Sequence, residues 1–534
     1  MTDTPSSSCA ICGLMARTRS QRSEGMRPQT TWGGSSPWWK SSCSRPALHL
    51  ACLVVMVATA AAASVAVQDT SSPRNIVFIL TDDQRFDGLS LLNDYFETPH
   101  LDTLAEGGVI FEKAFVTTSL CSPSRASILS RLYAHTHQVL DNSTPMPTEV
   151  PTFPVELQAA GYETAFIGKW HMGGASDAPR AGFDHWVSFR GQGVYVDPTL
   201  NVNGRQVERL GYTTDLLTDY AVDFLRAEHD RPFLLYLSHK AVHSPFTPAD
   251  RHRGAYRDRR YPEPASMADS DANYRGKPDW VRAQRDSRHG VDGMYAGRIG
   301  FDQFVREYAE ALMAIDDSIG RVMDTLAELN VLNSTLLVFM SDNGFQFGEH
   351  GLIDKRTMYE ASIKVPLIVH CPELLDPGQR RSEMVLNIDI APTLLEAAGV
   401  PVPDTMHGLS FYPLLTGATE EWRDTFLYEY FWERAFPQTP TVVGVRGDRY
   451  KLMRFHGIWD RYELYDLDTD PREMNNLLGD IRLETQAGAV DRQIAARAAP
   501  AVADVFARLS RRLDEILAES GALDEPTWRR VTER

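Results

Sequence analysis

Residues 75–83 read NIVFILTDD. The run from Asn75 to Leu80 is apolar and rich in β-forming side chains. It is too short for a helix and lacks polar alternation, so it reads as a strand buried on both faces. It ends on Thr81, Asp82 and Asp83, delivering two carboxylates at its carboxyl end. ETAFIGKW (163–170), PFLLYLSH (232–239), STLLVFMSDNG (334–344) and VPLIVHC (365–371) repeat the pattern. Between them, 151–160, 215–228 and 307–330 space apolar residues at i, i+3 and i+4, the period of a helix. Strands alternating with helices predict an α/β fold with a large, mostly parallel sheet sandwiched by helices. Sites in such sheets form beyond the carboxyl ends of the strands.

The chain has 534 residues, 43% of them hydrophobic and 23% charged, which suits a globular protein with a large core. A net charge of −17 argues against nucleic acid as a partner, without excluding a small anion met by a local basic cluster. Residues 47–66, ALHLACLVVMVATAAAASVA, follow Lys40 and Arg45 and close on small side chains. A basic flank, an apolar stretch and a small-residue end make a signal peptide, and 1–66 is read as a leader. A membrane anchor is the other reading of about 20 apolar residues, but the Ala-rich end favours cleavage. The expectation is an exported protein, periplasmic or secreted, with no stable membrane span once the leader is removed.

Cys9, Cys12, Cys43 and Cys52 fall within that leader, leaving Cys121 and Cys371 in the mature chain. Two cysteines do not make a disulfide scaffold, although one bridge between them is possible. A main domain over 72–420 is expected, interrupted at 250–300 by a charged excursion without periodicity. From 421 to 534 the pattern changes: TVVGVRGDRYKLMRF (441–455) and RYELYDLDTD (461–470) read as antiparallel strands, with a helical tail behind them. This predicts a smaller C-terminal α+β subdomain.

Asp82 and Asp83 repel each other unless a cation or a base neutralises them. Asp342 and Asn343, followed by Gly344, repeat the arrangement at a second strand end. Either pair alone is ordinary loop capping. Together they are an all-oxygen donor set suited to a hard cation, Ca²⁺ or Mg²⁺, rather than zinc. Lys169 and His171 end one strand two residues apart, on the same side if the strand persists; His239 and His243 end another, and Lys355 lies thirteen residues past Asp342. Singly each reads as a surface lysine or a hydrogen-bonded histidine. Converging, they describe an oxyanion pocket. No G-x-S-x-G elbow, Walker A loop, G-x-G-x-x-G fingerprint or H-E-x-x-H helix occurs. The remaining nucleophile candidate is Cys121, followed by Pro123 and Arg125.

CSPSR (121–125), GYETAFIGKWH (161–171), TDDQR (81–85) and SDNG (341–344) together closely resemble the type I sulfatases of the alkaline-phosphatase-like superfamily. The resemblance spans about residues 73–480, including ELYDLDTDPREMNNL (463–477). Where that family usually has Thr-Gly after the cysteine motif, this chain has Ser130-Arg131. The resemblance implies that Cys121 is oxidised to formylglycine by a formylglycine-generating or anaerobic sulfatase-maturating enzyme. The hydrated aldehyde would be the nucleophile, and the sulfated intermediate would collapse by elimination. Asp82, Asp83, residue 121, Asp342 and Asn343 would hold one Ca²⁺. Arg125 would hold the diol, Lys169 and Lys355 the sulfate oxygens. His243 would protonate the leaving alcohol and His171 would assist release of sulfate.

GFDHWVSFRGQGVYVDPTLNVNG (182–204) and SHKAVHSPFTPADRHRG (238–254) look most like the branch acting on 6-O-sulfated N-acetylglucosamine or glycosaminoglycan sugars. His350 and Arg251 are the candidate sugar contacts. The competing readings are a broad arylsulfatase, a phosphonate or phosphate monoester hydrolase on the same scaffold, and a glycan-binding relative without activity.

Overall fold

The computed structural model describes residues 74–403, 407–419, 421–456, 462–479, 481 and 490–522. The expected leader therefore lies outside the described residues. In chain order the strands are β1 (Ile76–Thr81), β2 (Val109–Phe115), β3 (Glu163–Gly168), β4 (His185–Ser188), β5 (Thr199–Val202), β6 (Arg205–Glu208), β7 (Phe233–Ser238) and β8 (Leu336–Ser341). A two-residue pair, β9 (Gln346–Phe347) and β10 (Ile353–Asp354), precedes β11 (Leu367–His370) and β12 (Gln379–Leu386). The last four are β13 (Thr425–Tyr430), β14 (Thr441–Gly447), β15 (Tyr450–His456) and β16 (Tyr462–Asp466).

Ten strands form one sheet in the order β12-β2-β11-β8-β1-β7-β3-β4-β5-β6. Its centre, β8-β1-β7-β3-β4, is parallel, as the alternation of strands and helices predicts. The sheet as a whole is mixed, because β11 runs antiparallel to both neighbours and β5 and β6 form an antiparallel edge. Parallel neighbours need a helical crossover. Between β8 and β11 the chain makes only loops, short turns, the small β9-β10 pair and the four-residue helix Glu360–Ile363, so it re-enters the sheet from the end at which it left.

Alternate residues of β1 pack on opposite faces: Ile76, Phe78 and Leu80 join one apolar cluster, Val77 and Ile79 the other. This period of two, buried on both sides, explains why NIVFIL shows no polar alternation. The Thr213–Arg226 and Phe301–Glu328 helices cover one face through Leu217, Ala221, Leu312 and Ile315. The Phe153–Ala159 and Ile390–Ala397 helices cover the other through Phe153, Leu157, Leu394 and Leu395. Each such large aliphatic or aromatic side chain contributes about 1.5–3 kcal/mol on full burial.

Strands β13 to β16 form a separate antiparallel sheet. The Pro500–Glu519 helix lays Phe506, Leu509, Leu513, Ile516 and Leu517 against it. Phe115 of β2 stacks on Phe426 of β13 at 5.1 Å, joining the two sheets through one core. The stretch 250–300, expected to lack periodicity, folds as brief helical turns such as Asp279–Ala283. Among the described residues no helix is long and apolar enough to cross a membrane.

Candidate active site

Register builds the site. Thr81 pairs with Ser341, and Leu80 with Ser238, so β1, β8 and β7 end level and their next residues share one rim. Oxygens of Asp82, Asp83 and Asp342 accordingly lie within 4.8 Å of one another. All three residues are buried, as is Asn343. Asp83 N–H donates to Asp342 Oδ1 at 3.1 Å, and Asn343 Nδ2 donates to Asp83 Oδ1 at 2.7 Å.

Strand β3 reaches the same rim. Its last residue, Gly168, has φ 124°, and a Cβ there would lie 1.7 Å from the Ser238 carbonyl oxygen, so only glycine allows the approach. The strand stops at Gly168, so the expected two-residue strand spacing of Lys169 and His171 does not apply; both sit in the following loop, His171 with φ 56°. They still line the site. Lys169 Nζ donates to Asp82 Oδ2 and to Gln192 Oε1. His171 Nδ1 is 3.5 Å from Ser122 Oγ.

Cys121 opens the Cys121–Ser130 helix and is buried, its Sγ 3.5 Å from Asp82 Oδ1. One turn on, Arg125 is 1% exposed. Its Nε donates to Asp342 Oδ2 at 2.8 Å, and one terminal nitrogen donates to the Lys169 carbonyl and Ser238 Oγ, both at 2.7 Å. The helix closes on Arg131, which takes the left-handed φ of 62° that suits glycine and donates to Glu156 Oε1 at 2.6 Å. Ser130-Arg131 is thus accommodated by an ion pair across to the Phe153–Ala159 helix.

Lys355, buried, donates to Asp83 Oδ1 and lies 3.5 Å from Asp354. His243 places Nε2 3.9 Å from Asp83 Oδ2, and its Nδ1–H donates to the Ser244 carbonyl at 2.6 Å. Burial alone would raise Asp82, but Lys169, His243, Arg125 and Lys355 hold it well below the ordinary carboxylate range. Burial, opposed by Lys355 and reinforced by Asp82, pushes Asp83 up to about 7. Burial, then Asp82, pushes the Cys121 thiol up. Burial lowers His171 and His243, and Lys169 adds to both shifts.

Three carboxylates and an amide fit a hard cation held by oxygen. Asn343 Oδ1, a buried acceptor, has no hydrogen-bond partner among the described residues and is available as a further ligand. Three expected residues fall elsewhere. His239 is buried against Ser318 Oγ at 3.0 Å, on the face covered by the long helix. Arg251 is held by Asp215, at 2.7 and 2.8 Å, and by Asp317 at 2.7 Å, and so ties two surface helices together. His350 is 2% exposed, stacks on Tyr359 at 3.9 Å and lines an adjoining cavity of about 440 Å³ with Arg85 and Glu349. Cys371 is a buried free thiol, unbonded to Cys121. Lys240 and Gln192 escaped the sequence reading. Lys240 lies between His239 and His243 in a stretch already singled out, and Gln192 in a glycine-flanked loop.

Residues 74–400 match the family described as sulfatase, and 348–499 match the C-terminal part of N-sulphoglucosamine sulphohydrolase. A curated N-acetylglucosamine-6-O-sulfatase of Bacteroides thetaiotaomicron is 34% identical over 77% of this chain and 84% of its own length. The human N-acetylglucosamine-6-sulfatase is 33% identical over 69% of each chain. A solved structure of a protein in complex with its substrate, D-glucosamine-2-N,6-O-disulfate, superposes with a TM-score of 0.74 at 30% identity, covering 84% of this chain and 98% of that one.

Proposed function

The chain belongs to the sulfatase family, and from that premise we propose that it removes the 6-O-sulfate of N-acetylglucosamine or a related glycosaminoglycan sugar. The observation that carries the reading is the rim at which Cys121, three carboxylates, Arg125, Lys169, Lys355 and His243 converge in a chain 34% identical to such an enzyme.

Asp82, Asp83, Asp342, Asn343 and residue 121 would hold one Ca²⁺, which supplies electron withdrawal from the sulfate group and a fixed orientation for it. Residue 121 would act as formylglycine, made from Cys121 by a maturating enzyme and supplying a hydroxyl nucleophile on hydration. Arg125, locked to Asp342, would hold that hydroxyl in place. Lys169 and Lys355 carry ammonium groups to the rim and would bind sulfate oxygens.

His243 would give the proton to the leaving sugar oxygen. Its Nδ1–H is committed to the Ser244 carbonyl, which leaves Nε2 as the atom facing the site. The ring donates from Nε2 only when doubly protonated, a form that the negative charge of a bound sulfate favours. His171, beside Ser122, would assist product release. Export to the periplasm or beyond, with the leader 1–66 removed, completes the reading, as does a division at about residue 420 into a catalytic part (72–420) and a C-terminal part (421–534).

Release of inorganic sulfate from N-acetylglucosamine 6-sulfate, against the 6-phosphate of the same sugar, tests the proposal. Sulfate release far exceeding phosphate release supports it. The reverse preference would identify a phosphoester hydrolase instead.

A further inference from the structure

The three carboxylates of the rim are matched one for one: Lys169 on Asp82, Lys355 on Asp83, Arg125 on Asp342. A fourth cation, Lys240, stands beside them unmatched. The residue is 2% exposed, and its Nζ has no hydrogen-bond or ion-pair partner among the described residues. The ring of Tyr195, with Nζ 4.4 Å from its centroid, is what the ammonium rests on.

Lys240 begins the turn that carries His243. His243 N–H donates to the Lys240 carbonyl at 3.1 Å, and Val242 N–H donates to the Asp82 carbonyl at 2.7 Å. In return Asp82 N–H donates to the Ala241 carbonyl at 3.0 Å. Tyr195 fixes the other side, its hydroxyl donating to the His243 carbonyl at 2.7 Å. Ammonium, ring and imidazole therefore form one unit docked on the strand end that bears Asp82. Burial, then Lys169, brings Lys240 down to about 8, against the pull of Asp82, Asp83 and Cys121.

A buried cation without a counter-charge is unfavourable, and an aromatic face offsets that cost only in part. Lys169 and Lys355 already hold carboxylates. Lys240 is the rim lysine whose charge is left for something arriving from outside. We propose that Lys240 is a substrate-contacting residue whose ammonium binds an oxygen of the sulfate group, on the side of the site that carries His243. This rests on the sulfate-ester reading above. If Lys240 served packing alone, exchanging it for a neutral side chain of the same length would leave anion binding untouched.

Calorimetric binding of inorganic sulfate to the calcium-loaded protein tests this without turnover. Lys240→Met is expected to weaken sulfate binding about tenfold or more, the weight of a charge-assisted hydrogen bond, and Lys240→Arg to restore most of it. On the sulfated sugar, Lys240→Met should raise KM by a similar factor and change kcat less. Lys240→Gln gives a second neutral variant should Lys240→Met fail to fold. Equal sulfate binding by wild type and the neutral variants, or no sulfate binding by wild type, overturns the proposal. Lys240-dependent sulfate binding without turnover of any sulfated sugar would remove the function proposed above and leave the anion contact standing.

Discussion

Cys121 Sγ lies 3.5 Å from Asp82 Oδ1, two residues separated by 39 positions and brought together by the end of β1 and the start of a helix. A helix N-terminus favours a thiolate, but full burial and the Asp82 charge act against it and dominate. As a cysteine, residue 121 is a poor nucleophile. Protein made without a maturating enzyme is therefore expected to desulfate no faster than Cys121→Ala, and its native thiol to resist alkylation at pH 8. Alkylation kinetics and sulfate release check this together.

His243 acts on the leaving group, so its importance should follow that group's basicity. His243→Gln is expected to lose about 10²–10⁴-fold in kcat on a sugar sulfate, whose alcohol needs a proton. An aryl sulfate with an acidic phenol should lose far less. Because burial holds the free ring below its usual range, the protonated form gains as pH falls, and kcat on the sugar ester should rise toward acid. A pH profile of the His243→Gln enzyme that still rises toward acid would assign the proton to another group.

Calcium and protons compete for Asp83. With no cation bound its carboxyl is held at about 7, chiefly by burial. Below that pH the cation must displace a proton, so calcium affinity should fall by up to about tenfold per pH unit between pH 7 and 5.5. Calorimetry in buffers of different ionisation enthalpy should show proton release on binding at pH 6. An affinity independent of pH contradicts the assignment of Asp83 as a ligand.

Two arginines contrast burial with exposure. Arg125→Ala leaves Asp342 buried without its partner and is expected to cost about 3–5 kcal/mol, with loss of activity. Arg251→Ala breaks partly exposed pairs with Asp215 and Asp317 and should cost about 1 kcal/mol or less, with KM unchanged. Denaturant titration and steady-state kinetics separate the two.

The parallel centre of the sheet was legible because strands buried on both faces leave unbroken apolar runs, as in NIVFIL and LLVFMS. The direction of β11 was not, since LIVH reads the same whichever way it runs and the missing crossover shows only as an absence of helix. The carboxylates were visible at strand ends because register brings level what sequence places far apart. Lys169 and His171 reach one rim through the loop after Gly168 and not through the strand spacing that the sequence suggests. The pairing of Arg251 was not legible because a charged loop looks alike whether or not its arginine meets aspartates on neighbouring helices. Lys240 went unnoticed because a lysine lying between two histidines in sequence gives no sign of being buried.

The central claim is tested most directly by release of inorganic sulfate from N-acetylglucosamine 6-sulfate, using preparations whose aldehyde content at residue 121 has been quantified by mass spectrometry. The account predicts a rate proportional to the aldehyde fraction and absent from the unmodified thiol protein. Full conversion at residue 121 with no sulfate released, or equal rates from thiol and aldehyde forms, would contradict it.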